Sequence, residues 1–279
     1  MIDLHCHSTF SDGSFEPEEL VELAAQVGLS ALALTDHDTT DGVPSFTAVC
    51  DKHGITAVAG VEISVEFSPG TMHMLGYFVD LDNAQLQSDL RNVRDGRAIR
   101  NRKIFERLQE LGMELDWDEI LELAGDAGVV GRPHFAQAMI SRGYAADKSE
   151  VFNSWLAKGK PGYVDRIRLS PQDGIASIRA AGGVPVLAHP FSLKLNNKEL
   201  KAVVAGLAGD GLQGIEVFYP MHKPDQLSFY LQLCKEFGLT ATGGSDFHGA
   251  GNPDIQLGSG FGNISVRDSV LTELQARLS

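Results

Sequence analysis

Most of the nine histidines in this 279-residue chain stand beside a carboxylate or at the end of a short apolar run. The first pair is His5-Cys6-His7. Side chains two apart on an extended backbone share a face, so both imidazoles can address one cation. Asp12 follows on the next loop, between Ser11 and Gly13, and further sets recur at Asp36-His37, Glu62, His73, His134, His189 and Asp246-Phe247-His248. A lone H-x-H step is equally consistent with two hydrogen-bonded surface histidines. Its recurrence with carboxylates along the chain favours a metal centre. Only His53 and His222 look incidental. Imidazole with carboxylate suits divalent manganese, iron or zinc, and the scarcity of cysteine at these positions disfavours a structural zinc cage. The donors exceed what one ion needs, so two or three ions are expected, with a carboxylate such as Glu62 bridging. A cluster of this kind lowers the pKa of bound water and neutralises charge growing on phosphoryl oxygens.

The elements that must position these residues follow from periodicity and capping. Ile2 and Leu4 begin a buried strand; Ala31 to Leu34, Ile55 to Val61, Met72 to Val79, Val184 to Ala188, Gly214 to Val217 and Thr240 to Gly243 read as further strands. Glu62 is expected at the tip of the third strand, followed by a strand-like stretch through Val65, and His73 inside the fourth. Pro17 with Glu18 and Glu19, and Ser170-Pro171 with Asp173, mark helix starts. Strand, polar tip and helix alternate, which predicts βα units around a mainly parallel sheet or barrel with its reactive groups at the strands' carboxyl ends.

From residue 83 the pattern changes to a helical block that runs to about residue 160, read as an insertion between barrel segments 1–82 and 161–279. Arg91, Arg94, Arg97, Arg100, Arg102, Lys103 and Arg107 make its first helix basic. That is a solvated face or a nucleic-acid contact. The whole chain is acidic, with 37 Asp plus Glu against 23 Lys plus Arg and a formal charge of −14, so a phosphate-bearing substrate must meet a local positive site. Bound metal ions can supply it. Arg132 is a candidate for clamping a phosphate in the bidentate way of guanidinium. Lys158 and Lys160 either meet a second phosphate or lie in a solvated loop. Asp36 is expected to orient a ligand, Glu216 to be structural or orienting, and Cys6 to fill the core behind the two histidines. Phe191, Phe218 and Tyr219 either stack on a base or pack. Three cysteines without a C-x-x-C spacing, no apolar leader and no membrane-length apolar run give the expectation of a cytoplasmic protein.

These pieces resemble the polymerase and histidinol phosphatase (PHP) family. The resemblance rests on Asp3-Leu4-His5-Cys6-His7-Ser8, Ser11-Asp12-Gly13, Thr35-Asp36-His37-Asp38, Gly60-Val61-Glu62, His73, Arg132-Pro133-His134, Ala188-His189-Pro190 and Gly244-Ser245-Asp246-Phe247-His248, in that order. The helical block, with Tyr163-Val164 and Leu169-Ser170-Pro171, is similar to the branch that removes the 3′-phosphate of nucleoside 3′,5′-bisphosphates and degrades short RNA from the 5′ end. The resemblance implies an α/β fold, a distorted (β/α)7 barrel of the PHP type with a small helical insertion, holding a trinuclear site. It assigns His5, His7, Glu62 and Asp246 to one ion, Glu62, His73 and His134 to a second, and Asp12, His37 and His248 to the third. It places His189 beside the substrate, as a phosphate contact or proton donor, with Arg132 and Lys160 as further substrate contacts. Manganese is the implied ion, with iron or zinc as alternatives. The partner is a small nucleotide or short oligonucleotide, and no membrane or obligate protein partner is implied. The rival readings are a histidinol-phosphate or other small-molecule phosphatase, an editing module of a DNA polymerase, and a non-catalytic metal-binding subunit.

Overall fold

The computed structural model describes residues 1–124, 130–166 and 168–278, so residues 125–129 of the expected insertion lie outside the described residues. Seven strands form one sheet in sequence order: β1 (Ile2–Cys6), β2 (Ala31–Leu34), β3 (Thr56–Val65), β4 (Met72–Tyr77), β5 (Val184–Leu187), β6 (Gly214–Phe218) and β7 (Thr240–Gly243). A bridge from Cys6 to Phe247 joins the first edge to the last, so the sheet nearly closes into a barrel. The helices are α1 (Pro17–Gln26), α2 (Val43–His53), α3 (Ala84–Glu110), α4 (Trp117–Ala124), α5 (Arg132–Ser141), α6 (Lys148–Val151), α7 (Pro171–Ala180), α8 (Asn197–Gly209), α9 (Pro224–Phe237) and α10 (Ser269–Gln275). Among the described residues, no helix is long and apolar enough to cross a membrane.

Two departures from the expected strands decide where the site forms. Glu62 stands inside β3, which continues to Val65, because β3 pairs with β4 through a ladder from Gly60–Tyr77 to Val65–Met72. That ladder is antiparallel, as is the one from β4 to β5, while the other pairs are parallel. A short loop joins β3 to β4 without a crossover helix, and such a loop can return the chain only in the opposite direction. The reversal puts the beginning of β4, with His73 as its second residue, at the rim where the parallel strands end.

In β1 the register shifts between Asp3 and Cys6. Before the shift, Ile2 and Leu4 pack with Ala31, Ala33, Val58 and Tyr77. After it, Cys6 packs in a different cluster, with Leu32, Leu34 and residues of α1 and α2. A bulge re-aims the residues beyond it, so Cys6 leaves the face of Ile2 and Leu4, while His5 and His7 alternate with Cys6 and lie away from it. Cys6 is fully buried as a core filler, as expected. Helix starts follow the local chemistry: Glu19 accepts the backbone N–H of Glu16 ahead of Pro17, and Ser170 accepts that of Asp173.

The chain divides into two compact units, residues 1–91 with 169–279, and residues 92–168. The second unit begins within α3 rather than at residue 83, because Leu86 and Leu90 at the start of that helix pack into the cluster that backs β3, β4 and β5. The helical unit has its own core, including Ile104, Leu108, Phe135, Met139 and Leu156.

Barrel closure depends on one buried acid. Asp3 is fully buried and accepts four hydrogen bonds: from the backbone N–H of His5 at 3.2 Å and of Ser245 at 2.9 Å, the hydroxyl of Ser245 at 2.6 Å and the N–H of Gly258 at 2.7 Å. Gly244 passes so close to His5 that a Cβ would collide with its backbone nitrogen and its own Cβ. Replacing Asp3 by Ala is expected to lower the unfolding free energy by at least about 3 kcal/mol, since four buried donors lose their acceptor together. A urea transition at the wild-type midpoint would remove Asp3 from the closure.

Candidate metal centre

The parallel strands β1, β2, β5 and β7 deliver side chains to the rim from their ends or from the loops that follow. His5 and His7 come from the end of β1, Asp12 from its loop, His37 from beyond β2, His189 from beyond β5, and Asp246 and His248 from beyond β7. Glu62 and His73 come from the antiparallel pair. Three groups of donors converge: His5, His7, Glu62 and Asp246; His37, Glu62 and His73; and His7, Asp12, His37 and His248, with the donor atoms of each group within 4.8 Å of one another.

Glu62 lies at the middle. Its Oε2 is 3.3 Å from Nε2 of both His5 and His7 and 2.9 Å from Nδ1 of His37, while its Oε1 is 2.8 Å from Nδ1 of His73 and 2.9 Å from Nε2 of His189. Asp246 Oδ1 lies 3.3 Å from His5 Nε2 and 3.1 Å from His7 Nε2. Asp12 is 3.2 Å from His248 Nε2 and 3.7 Å from both His7 Nδ1 and His37 Nε2.

The fit of a cation to this cage follows from the orientation of lone pairs. His5 Nδ1 donates to Glu216 at 2.8 Å, and His248 Nδ1 donates to the carbonyl of Asp246 at 2.8 Å. In its neutral form each ring then turns its Nε2 lone pair to the carboxylates. The Nε2 atoms of His5 and His7 face each other at 3.2 Å. Glu62 Oε2 and His37 Nδ1 are close, yet the angle between them does not make a hydrogen bond, and both are buried without one. Acceptors that point together in a dry pocket need positive charge between them. In the chain without an ion, protons take that place. Burial opposes ionisation of Glu62, but His37, His73 and His5 together hold its carboxyl well below the usual range. Burial also opposes protonation of His7, but the carboxylates of Asp246 and Glu62 raise it to about 10.

A second layer of buried acids fixes the tips. Asp36 accepts the N–H and hydroxyl of Ser8 at 2.8 and 2.6 Å and the hydroxyl of Ser11 at 2.6 Å, so it shapes the loop carrying Asp12. Asp38 accepts the N–H of Ser64 at 2.7 Å and ties β2 to β3. Glu216 bridges His5 and the backbone N–H of His189, the latter at 2.8 Å. Tyr219 donates its hydroxyl to Asp246 at 2.8 Å. His189 and Asp246 hold left-handed backbone conformations with φ of 23° and 56°. Such strain persists only where neighbours over-determine it, and at these two tips the hydrogen bonds do so. Asp3 and Asp38 have no role in the sequence reading; an acid within an apolar strand, or a second acid after Asp36-His37, is the signal that marks them.

The helical unit carries the remaining expected site residues. His134 opens α5, where its Nδ1 accepts the N–H of Gly131 at 3.0 Å. That bond leaves the neutral ring's proton on Nε2. Within the barrel unit, His189 lies with His73 on the same oxygen of Glu62. Arg132 donates from Nη1 to the carbonyl of Leu156 at 3.2 Å, and Lys158 and Lys160 are in the same unit, with Lys160 exposed. Phe191 and Tyr219 stand beside His189, with ring centres 6.3 and 5.4 Å away, whereas Phe218 packs against the core.

Because the His7 imidazole is protonated at neutral pH when the cage has no ion, a divalent ion must displace that proton. Titration calorimetry of Mn²⁺ into the stripped protein at pH 7, in buffers of different ionisation enthalpy, is expected to show net proton release and an affinity that rises with pH. Binding without proton release would contradict the charge balance described. Glu216→Gln is expected to weaken ion affinity by about 10–100-fold with the fold intact.

Comparison with known proteins agrees with this geometry. The family model for the PHP domain matches residues 3–175. A 3′,5′-nucleoside bisphosphate phosphatase of Chromobacterium violaceum is 33% identical over 277 residues, covering 99% of this chain and 97% of that protein. A 5′-3′ exoribonuclease of Salmonella typhimurium is 36% identical over 258 residues, covering 92% and 87%. Among solved structures, an amidohydrolase from Chromobacterium violaceum with bound sulfate superposes with a TM-score of 0.83 at 32% identity, covering 99% of this chain and 96% of that one. With the motifs in order and the donors converged, the chain belongs to the PHP domain family of metal-dependent phosphoesterases.

Proposed function

We propose that this chain hydrolyses the 3′-phosphate of nucleoside 3′,5′-bisphosphates and also acts on short 5′-phosphorylated oligoribonucleotides, with Mn²⁺ as the resident ion. The observation that carries the reading is the convergence of three donor groups on Glu62, in a chain alignable along nearly its whole length with relatives named for those two activities. Divalent ions held there supply an activated water and neutralise charge on the phosphoryl oxygens. All else is done by side chains. His5, His7, Glu62 and Asp246 form one holding set. His37, with Asp12 and His248, forms another, and we assign His189 rather than His134 to the set of Glu62 and His73. That assignment takes away the role of proton donor that the resemblance gives His189.

Tyr219 orients Asp246 through its hydroxyl. Phe191 and Tyr219, whose ring centres are 5.6 Å apart, offer an aromatic face beside His189 on which a base can stack. For Arg132 and Lys160 as phosphate contacts the argument is the sequence's own. All three cysteines are free and buried, which supports a cytoplasmic setting.

A hydrolysis screen with added Mn²⁺ compares adenosine 3′,5′-bisphosphate, histidinol phosphate and a short 5′-phosphorylated RNA. Release from the bisphosphate and from the RNA is expected; release from histidinol phosphate alone would overturn the nucleotide reading. His37→Ala is expected to lower turnover by more than about 100-fold while leaving the circular dichroism spectrum unchanged. His189→Ala is expected to lower ion occupancy as well as turnover, as measured by elemental analysis, whereas full occupancy with lost turnover would return His189 to the role of proton donor.

A further inference from the structure

One hydroxyl at the edge of the metal centre has three polar neighbours, and they decide where its hydrogen goes. Ser192 is half-buried in a 3-10 turn, Pro190–Leu193, that follows β5. Its Oγ lies 2.8 Å from the carbonyl oxygen of Thr71, 2.9 Å from that of His189 and 3.1 Å from His189 Nδ1. Carbonyl oxygens only accept, and the hydroxyl has one hydrogen to give. With that hydrogen on a carbonyl, a lone pair of Oγ is left to face Nδ1. A bare Nδ1 would instead compete for the same hydrogen and leave both carbonyls against oxygen lone pairs. The arrangement therefore favours a hydrogen on Nδ1, donated to Ser192, whether the ring is neutral or charged.

Ser192 is itself held from both sides. Thr71 donates its backbone N–H to the carbonyl of Ser192 at 2.9 Å, and Ser192 donates its own to the carbonyl of His189 at 3.0 Å. Gly70 passes so close that a Cβ there would collide with the carbonyls of Ser192 and Leu193. The loop between β3 and β4 is thus clamped onto the turn that carries His189. At the other end, Nε2 of His189 lies 2.9 Å from Glu62 Oε1, the oxygen that His73 Nδ1 also approaches at 2.8 Å. A neutral ring with its hydrogen on Nδ1 turns a lone pair to that place. A ring with its hydrogen on Nε2 would donate to Glu62 instead, and both atoms would be closed to an ion.

We propose that Ser192 is a positioning residue whose hydroxyl, anchored on the Thr71 carbonyl, keeps the hydrogen of His189 on Nδ1 and so keeps Nε2 open to a divalent ion shared with Glu62 and His73. The proposal rests on the assignment of His189 to that holding set. Glu216 does the same for His5 and the carbonyl of Asp246 for His248. For His189 the acceptor is a hydroxyl, tied to the hairpin that delivers His73.

The test uses the full chain, stripped with EDTA. Calorimetry and elemental analysis follow Mn²⁺ binding, and nuclear magnetic resonance of protein isotope-labelled in its histidines reads which ring nitrogen carries hydrogen. Zn²⁺ serves for the loaded spectra because it has no unpaired electrons. The His189 signals are identified by their loss in His189→Ala. Wild type is expected to carry hydrogen on Nδ1 in the Zn²⁺-loaded protein. Ser192→Ala is expected to weaken one of the bound Mn²⁺ ions by about 10–100-fold and leave the others as in wild type. In the stripped protein, at a pH where the ring is neutral, the same variant is expected to shift hydrogen from Nδ1 to Nε2. Ser192→Thr keeps the hydroxyl and is expected to restore both the affinity and the hydrogen on Nδ1. A Ser192→Ala protein that melts lower but keeps the wild-type Mn²⁺ affinity and hydrogen position would overturn the proposal by making Ser192 a structural tie only. Loss of an ion in His189→Ala with wild-type binding in Ser192→Ala would overturn the proposal alone. Full ion occupancy in His189→Ala would overturn the assignment of His189, and the proposal with it.

Discussion

A single carboxylate, that of Glu62, has the ring nitrogens of five histidines within 3.3 Å while being buried completely. No packing argument favours such an arrangement. Neutral imidazoles gain little from a buried carboxylate unless a proton or a cation lies between them, and burying the charge alone is expensive. The rest of the barrel unit can be understood as what holds these six side chains in place against that cost. Cations restore the balance, and the same cations are what give the rim its chemistry.

The holding is done by acids that never face the centre. Asp3 ties the first strand to the tip of the last, Asp36 shapes the loop that carries Asp12, Asp38 joins the second tip to the third strand, and Glu216 grips both His5 and the backbone of His189. Each accepts hydrogen bonds from a neighbouring tip rather than from its own strand alone. The rim is therefore linked around its circumference, and ligand positions are set by neighbours on both sides. The strained backbones at His189 and Asp246 fall within this linkage, which is the setting in which strain is tolerated.

The helical unit obeys a different electrostatic rule. In the barrel, opposite charges are interleaved at hydrogen-bond distance; in the helical unit, Arg100 is buried and feels the charges of Arg132, Arg97 and Arg168. An acidic protein that handles phosphate has to supply positive charge locally. Here metal ligation is one way of doing so.

The identity of the donors was determined by sequence alone. His5-Cys6-His7, Glu62, Asp246-Phe247-His248 and the strand-helix rhythm are local patterns, and local patterns establish which elements form and which side chains stand near their ends. Residue order along the chain was also enough to carry the family resemblance. Which lone pair faces which was decided only by tertiary structure. The bulge in β1 moves Cys6 out of the cluster of Ile2 and Leu4, and the reversal of β4 brings His73 to the rim. Barrel closure places His189 beside His73 on Glu62. None of these is visible in a linear pattern, because each depends on register and strand direction set by residues far away in sequence. The buried environment of Arg100 was hidden for the same reason: a run of arginines on a helix looks solvated until the helices that cover one of its faces are in place.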